Sequence, residues 1–136
     1  MKAKIRSKLD VLPVEELANT ITHGFGLLLS VVGFIVLIAL ALTRGDLWSL
    51  INCSIYGLSL VILYAASTIY HSSSSPRMKR NMRIVDHCCI YILIAGSYTP
   101  FGLVIWDKPW GRELMIVVWV LATLGILVKM IVRAGY

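Results

Sequence analysis

The stretch "ITHGFGLLLSVVGFIVLIALAL", residues 21–42, contains no Asp, Glu, Lys or Arg, and His23 is its only ionisable side chain. A bilayer core of about 30 Å is crossed by roughly 20 apolar residues of helix, so this run is long enough to span one. The chain repeats the pattern. Leu47 to Tyr70 holds no charge, Ile84 to Trp106 is interrupted only by Asp86 and His87 at its start, and Leu114 to Val132 carries one charge, Lys129. Of the 136 residues, 58% are hydrophobic and 15% charged, where a soluble domain has roughly 45–50% and about 25%. A chain this short cannot wrap four such helices in a water-facing shell. The expected fold is all-α: one integral membrane domain, a helical bundle with spans at about 20–43, 47–70, 84–106 and 113–133. "ALA" at 39–41 imitates a signal-peptidase site, but signal cores are only about 7–15 residues long, so the first run reads as a retained span.

Charge placement sets the expected orientation. Lys2, Lys4, Arg6 and Lys8 precede the first span, and Arg77, Lys79, Arg80 and Arg83 lie between the second and third. The first connection has Arg44 offset by Asp46; the third has Lys108 and Arg112 offset by Asp107 and Glu113; the tail has Lys129 and Arg133. The positive-inside rule turns this alternation into a cytoplasmic segment 1–19, a cytoplasmic second connection and a cytoplasmic C-terminus. Trp48, Trp106 and Trp110 then fall at the outer ends, at headgroup level. Anionic inner-leaflet lipid is a sufficient partner for the basic residues, and no nucleic acid is expected. "VLPVEELANTITH", residues 11–23, reads as a short amphipathic surface helix, with Pro13 at a first helical position, Glu15 and Glu16 favouring the helix dipole, and Leu12, Val14 and Leu17 dipping into the interface.

Ionisable residues inside spans are expensive and mark functional sites by default. With this orientation His23, His71, Asp86 and His87 all share the cytoplasmic depth. Ser67 and His71 are four residues apart and so share a helix face, with Tyr70 beside them; a serine there is suited to orient a ring nitrogen or a water. A catalytic zinc site takes three protein ligands and an open position for water. On the residues alone His23, His71 and His87 are candidate ligands, with Asp86 orienting the water or taking its proton. Asp86 and His87 are consecutive, however, and splay by about 100° on a helix, so they are not expected to meet one metal. Cys53, Cys88 and Cys89 read as buried free thiols. In "IYILIAGSYTPF", residues 90–101, Pro100 is expected to kink the third span, Ser97 and Thr99 to satisfy the freed backbone groups, and Gly96 to allow close helix approach.

"EELANTITH" at 15–23, "STIYH" at 67–71 and "DHCCIYILIAGSYTPF" at 86–101 together resemble the hemolysin III family, the bacterial branch of the progestin and adiponectin receptor (PAQR) proteins within the wider alkaline ceramidase-like superfamily. The resemblance implies a seven-span bundle with a zinc site in its cytoplasmic half. It makes His71 a direct zinc ligand, gives Ser67 and Asp86 the metal-bound water, and leaves His23, His87 and Tyr70 supporting roles. The remaining ligands, a His-x-x-x-His on the last span, are absent here, so this chain is expected to be a fragment carrying four of seven spans and to be inactive alone. Membrane lipids and the remaining spans are its expected partners, and a bacterial inner membrane its location. The implied function is zinc-dependent hydrolysis of a lipid amide or ester bond in lipid homeostasis. The alternatives are a channel-forming cytolysin, which the apolar middles of the spans support poorly, and a non-enzymatic regulator of membrane state.

Overall fold

The computed structural model describes residues 13–134. Helix α1 runs Val14–Arg44, α2 Leu47–Ser72, α3 Pro76–Tyr98, α4 Gly102–Ile105 and α5 Gly111–Ala134, with a single 3-10 turn, Thr99–Phe101, joining α3 to α4. Among the described residues four segments are long and apolar enough to cross a membrane: Val14–Arg44, Leu47–Ser72, Pro76–Ile105 and Gly111–Val132. Lys2, Lys4, Arg6, Lys8 and Leu12 lie outside the described residues, as does the side chain of Arg133.

Two reversals of the chain are tighter than the hydropathy pattern suggests. Between α1 and α2 only Gly45 and Asp46 intervene. Gly45 closes α1 in the left-handed conformation (φ 71°), its N–H bonding back to the Leu42 carbonyl, a backbone shape that glycine adopts without steric cost. Asp46 then caps α2, its carboxylate accepting from the Ser49 N–H at 2.6 Å. That bond holds the Asp46 carboxyl below its ordinary pKa. A depressed carboxyl contributes stability that is present above its unfolded pKa and is lost as pH falls through the folded value. Acidification through that window is therefore expected to lower the hydrogen-exchange protection factor of the Ser49 amide, the intrinsic pH dependence being divided out, and to leave those of mid-helix amides unchanged. Asp46→Asn, which still accepts the bond, should remove this pH dependence.

The second reversal changes the reading of residues 72–85. The expected linker is mostly helix: α2 continues to Ser72, α3 begins at Pro76, and only Ser73–Ser75 connect them. Proline at the first helical position lacks only an N–H that would be unpaired anyway, so Arg77, Lys79, Arg80 and Arg83 extend α3 by two turns rather than forming a loop. At the other end of the chain, the expected surface helix and first span are one continuous α1. Pro13 is its N-cap, one residue earlier than expected, with an extended ψ of 145°; no proline follows in α1 to break the helix.

Packing follows chain order. Helix α1 packs along α2, α2 along α3, and α3 along α5, with no extended packing of α1 on α3 or α5. The helices therefore form an open row. Its inner pairs meet through small and polar side chains. On α2, Asn52, Ser59 and Ala66 recur at seven-residue spacing, and all three are buried. Gly96 of α3 lies against Ser59 so closely that an added Cβ would collide with the serine side chain, the close approach expected at this glycine. In a lipid solvent, helices associate through such close contact because apolar burial gives them no further advantage. The outer faces of α1 and α5 present Phe25, Leu28, Ile35, Ile116 and Val128, all exposed.

Around Pro100 the helix tightens into the 3-10 turn before α4 resumes it. The Gly96 carbonyl, which would have bonded to residue 100, is taken by the backbone N–H of Thr99. The hydroxyls of Ser97 and Thr99 go instead to Ile94 and Ala95, at 2.8 and 2.9 Å. The freed group is thus satisfied by a shorter backbone bond and not, as expected, by these side chains.

Candidate functional site

The end of the row at which α1 begins, α2 ends and α3 begins carries a polar cluster drawn from all three helices. Its centre is Glu16. One carboxylate oxygen lies 2.7 Å from Nδ1 of His71 and the other 2.7 Å from Nζ of Lys79. Glu16 is 22% exposed, His71 15% and Lys79 30%, so both contacts are only partly shielded from water. The His23 ring stacks at a tilt on His71, with centroids 5.3 Å apart, and meets the Tyr64 ring edge-on at 5.9 Å. Tyr70 packs against His71 from its own helix at 4.6 Å, and Lys79 Nζ sits 5.6 Å from the Tyr70 ring centre. The Nδ1 atom of His23 is buried without a hydrogen-bond partner.

The sequence-predicted residues divide into two groups. His23, His71 and Tyr70 are brought together. The Nδ1 partner of His71 is Glu16, however, and not Ser67: a carboxylate reaches across from α1, while Ser67 is 3% exposed within α2. Asp86 is also buried, at 9%, on α3, the helix that packs along α2. His87 faces away from this cluster and lines a separate cavity with Lys129 of α5. Asp86, its neighbour in sequence, does not line that cavity. Cys89 is buried, Cys53 and Cys88 are half-buried, and all three are free.

The sequence marks Glu16 only as a partner for the helix dipole and Lys79 only as a topogenic charge. A signal existed: Glu16 and His23 are seven residues apart, two turns of one helix face. What no spacing on α1 reveals is that the turn at Ser73–Ser75 is short enough to place Lys79 opposite the same carboxylate.

Zinc, which the resemblance implies, fits these residues only in part. Among the described residues no three His, Cys, Asp or Glu side chains gather closely enough to hold a metal ion. One ligand position does fit. With Nδ1 of His71 engaged by a carboxylate, Nε2 is the nitrogen left for coordination, the usual arrangement of a ligating histidine and its outer carboxylate.

Four long apolar helices, and a titratable cluster confined to one end of them, define a multi-pass helical membrane protein. A family model described as "Haemolysin-III related" matches residues 12–135, and the chain belongs to that family. It is 44% identical over 115 residues to the "Hemolysin-3 homolog" of Bacillus subtilis (strain 168), covering 85% of this chain and 54% of that protein. It is 43% identical over 115 residues to "Hemolysin-3" of Bacillus cereus, covering 85% and 52%. It is 32% identical over 118 residues to the human "Monocyte to macrophage differentiation factor", covering 82% and 48%. The chain thus spans about half the length of these curated relatives. No solved structure matches it.

Proposed function

We propose that the protein is a zinc-dependent membrane hydrolase that cleaves an amide or ester bond of a lipid, with His71 as one metal ligand. The contact of Glu16 with His71 Nδ1 at 2.7 Å carries this reading. A carboxylate on one ring nitrogen fixes the tautomer and raises the basicity of the other. Zinc, when bound, supplies a Lewis acid and lowers the pKa of its water to about 7. Asp86, buried on the adjoining helix, is the group assigned to accept a proton, and the Ser67 hydroxyl the group assigned to orient the attacking oxygen. The other ligands belong, in this reading, to sequence beyond these 136 residues, for which relatives about twice as long leave room. The basic end of the row is assigned to the cytoplasmic side of a bacterial inner membrane by its Lys and Arg content.

The test is the metal content of the whole membrane protein purified in detergent. The wild type is expected to retain zinc, and His71→Ala to bind it about 10–100-fold more weakly or worse. Equal zinc in the two proteins would sink the assignment. Lipid turnover by the wild type, lost in Asp86→Asn with zinc retained, is the expected sign of hydrolysis; turnover that survives Asp86→Asn would remove Asp86 from the chemistry.

A further inference from the structure

His87 and Lys129 are used by nothing described so far. They line a cavity of about 250 Å³ between α3 and α5, together with Ile90 and Tyr91. Nδ1 of His87 is buried and has no hydrogen-bond partner. Lys129 lies on α5 with Met130, Ile131 and Val132 still to follow, so its charge sits inside an apolar run. No described carboxylate forms an ion pair with it. An ammonium at such a depth is costly without a counter-charge. Near the ring, Arg83, one turn before His87 on the same face of α3, adds a second positive charge and Asp86 one negative charge, so the surroundings of His87 stay net positive.

A second cavity, of about 320 Å³, continues along the same two helices. It is lined by Tyr91, Ile94, Tyr98, Val118, Leu121 and Ala122. Tyr91 is common to both cavities, and its ring packs against Gly125 of α5. One groove therefore has a cationic end and an apolar end. From His87 to Tyr98 it follows about 16 Å of helix, and it lies on segments long enough to cross a membrane.

We propose that the groove between α3 and α5 binds one anionic phospholipid, its phosphate held by Lys129 and His87 and an acyl chain lying along Tyr91, Ile94 and Tyr98. A phosphate matches the two polar groups at that end, one a permanently charged donor and the other a ring nitrogen lacking a partner. A free phosphate would leave the apolar half of the groove unused, and a neutral lipid would leave Lys129 without a counter-charge. The site is independent of the Glu16 cluster and of any metal.

The test uses the whole protein in neutral detergent, stripped of lipid and titrated with phosphatidylglycerol or phosphatidylcholine, with bound lipid counted by native mass spectrometry. Phosphatidylglycerol is expected to bind about five- to tenfold more tightly than phosphatidylcholine, and Lys129→Gln to abolish that preference. Lys129→Arg should keep it, because the charge is retained; loss of the preference in Lys129→Arg as well would make the effect structural and overturn the proposal. Ala122→Trp, which fills the apolar half and leaves the charges in place, should weaken binding of both lipids. Equal binding of the two lipids by the wild type, or an Ala122→Trp protein that binds normally, would overturn the proposal. Displacement of phosphatidylglycerol by inorganic phosphate at matched concentration would do so too, since it would make free phosphate the ligand.

Discussion

Gly96→Val is expected to prevent α2 and α3 from seating against each other. A Cβ at residue 96 would collide with the Ser59 side chain, and the Ile55 carbonyl lies 3.5 Å from the same position. The serine cannot simply rotate away, because it is 3% exposed and its hydroxyl bonds to the Tyr56 carbonyl at 2.7 Å. Overpacking of this kind costs about 1–3 kcal/mol, and a branched side chain between two backbones belongs at the upper end of that range. The measurement is thermal unfolding in detergent, where Gly96→Val should melt well below the wild type. A compensating pair separates collision from loss of helix propensity. Gly96→Ala alone should destabilise, and combining it with Ser59→Gly should restore part of the loss. If the two substitutions merely add, the contact is not what limits the packing.

Glu16→Ala is expected to have the second largest effect, because one carboxylate serves a ring nitrogen and an ammonium on two other helices. Removing it leaves the Nδ1 atom of His71 and the ammonium of Lys79 without their shared partner. Losing one side of a partly exposed, hydrogen-bonded pair costs about 1 kcal/mol, because water reaches the groups left behind. Glu16→Gln should lose less, since an amide oxygen still accepts one hydrogen bond. Double-mutant cycles of Glu16 with His71 and of Glu16 with Lys79 should each return a coupling energy of about 1 kcal/mol. If His71 is a zinc ligand, Glu16→Gln should also weaken zinc binding about 10–100-fold through the orientation of the ring. Couplings near zero would reduce Glu16 to a surface charge and remove the support it gives the metal reading.

The four spans were legible because hydropathy over twenty residues is a bulk property. It depends on no individual contact, so Ile21–Leu42 announces itself without a partner. The convergence of His23 and His71 was legible for a related reason, since orientation alone puts both at one depth. What stayed hidden were the contacts that depend on how tightly the chain reverses. The serine run at 72–75 looks like flexible linker, yet proline at 76 starts a helix at once, and this brings Lys79 within reach of Glu16. The separation of His87 from the cluster was half legible: the splay from Asp86 follows from helix geometry, but its turn toward Lys129 needs the packing of α3 on α5. Family resemblance located the residues of a known site pattern, and it did not reveal the carboxylate that holds His71.

The open row of helices has a consequence for how the protein is made. Each helix finds its main packing partner in the span synthesised immediately before it: α2 on α1, α3 on α2, α5 on α3. The contacts are therefore local along the chain, the arrangement associated with rapid assembly. A span emerging into the bilayer can seat its Asn52, Ser59 or Gly96 face at once, without waiting for a later segment to cover it. The polar cluster is complete by the time the start of α3 is in place, since Glu16, His71 and Lys79 all precede residue 80. Assembly order and spatial order coincide, so the costly ionisable groups of the early spans spend little of biogenesis unpaired in lipid.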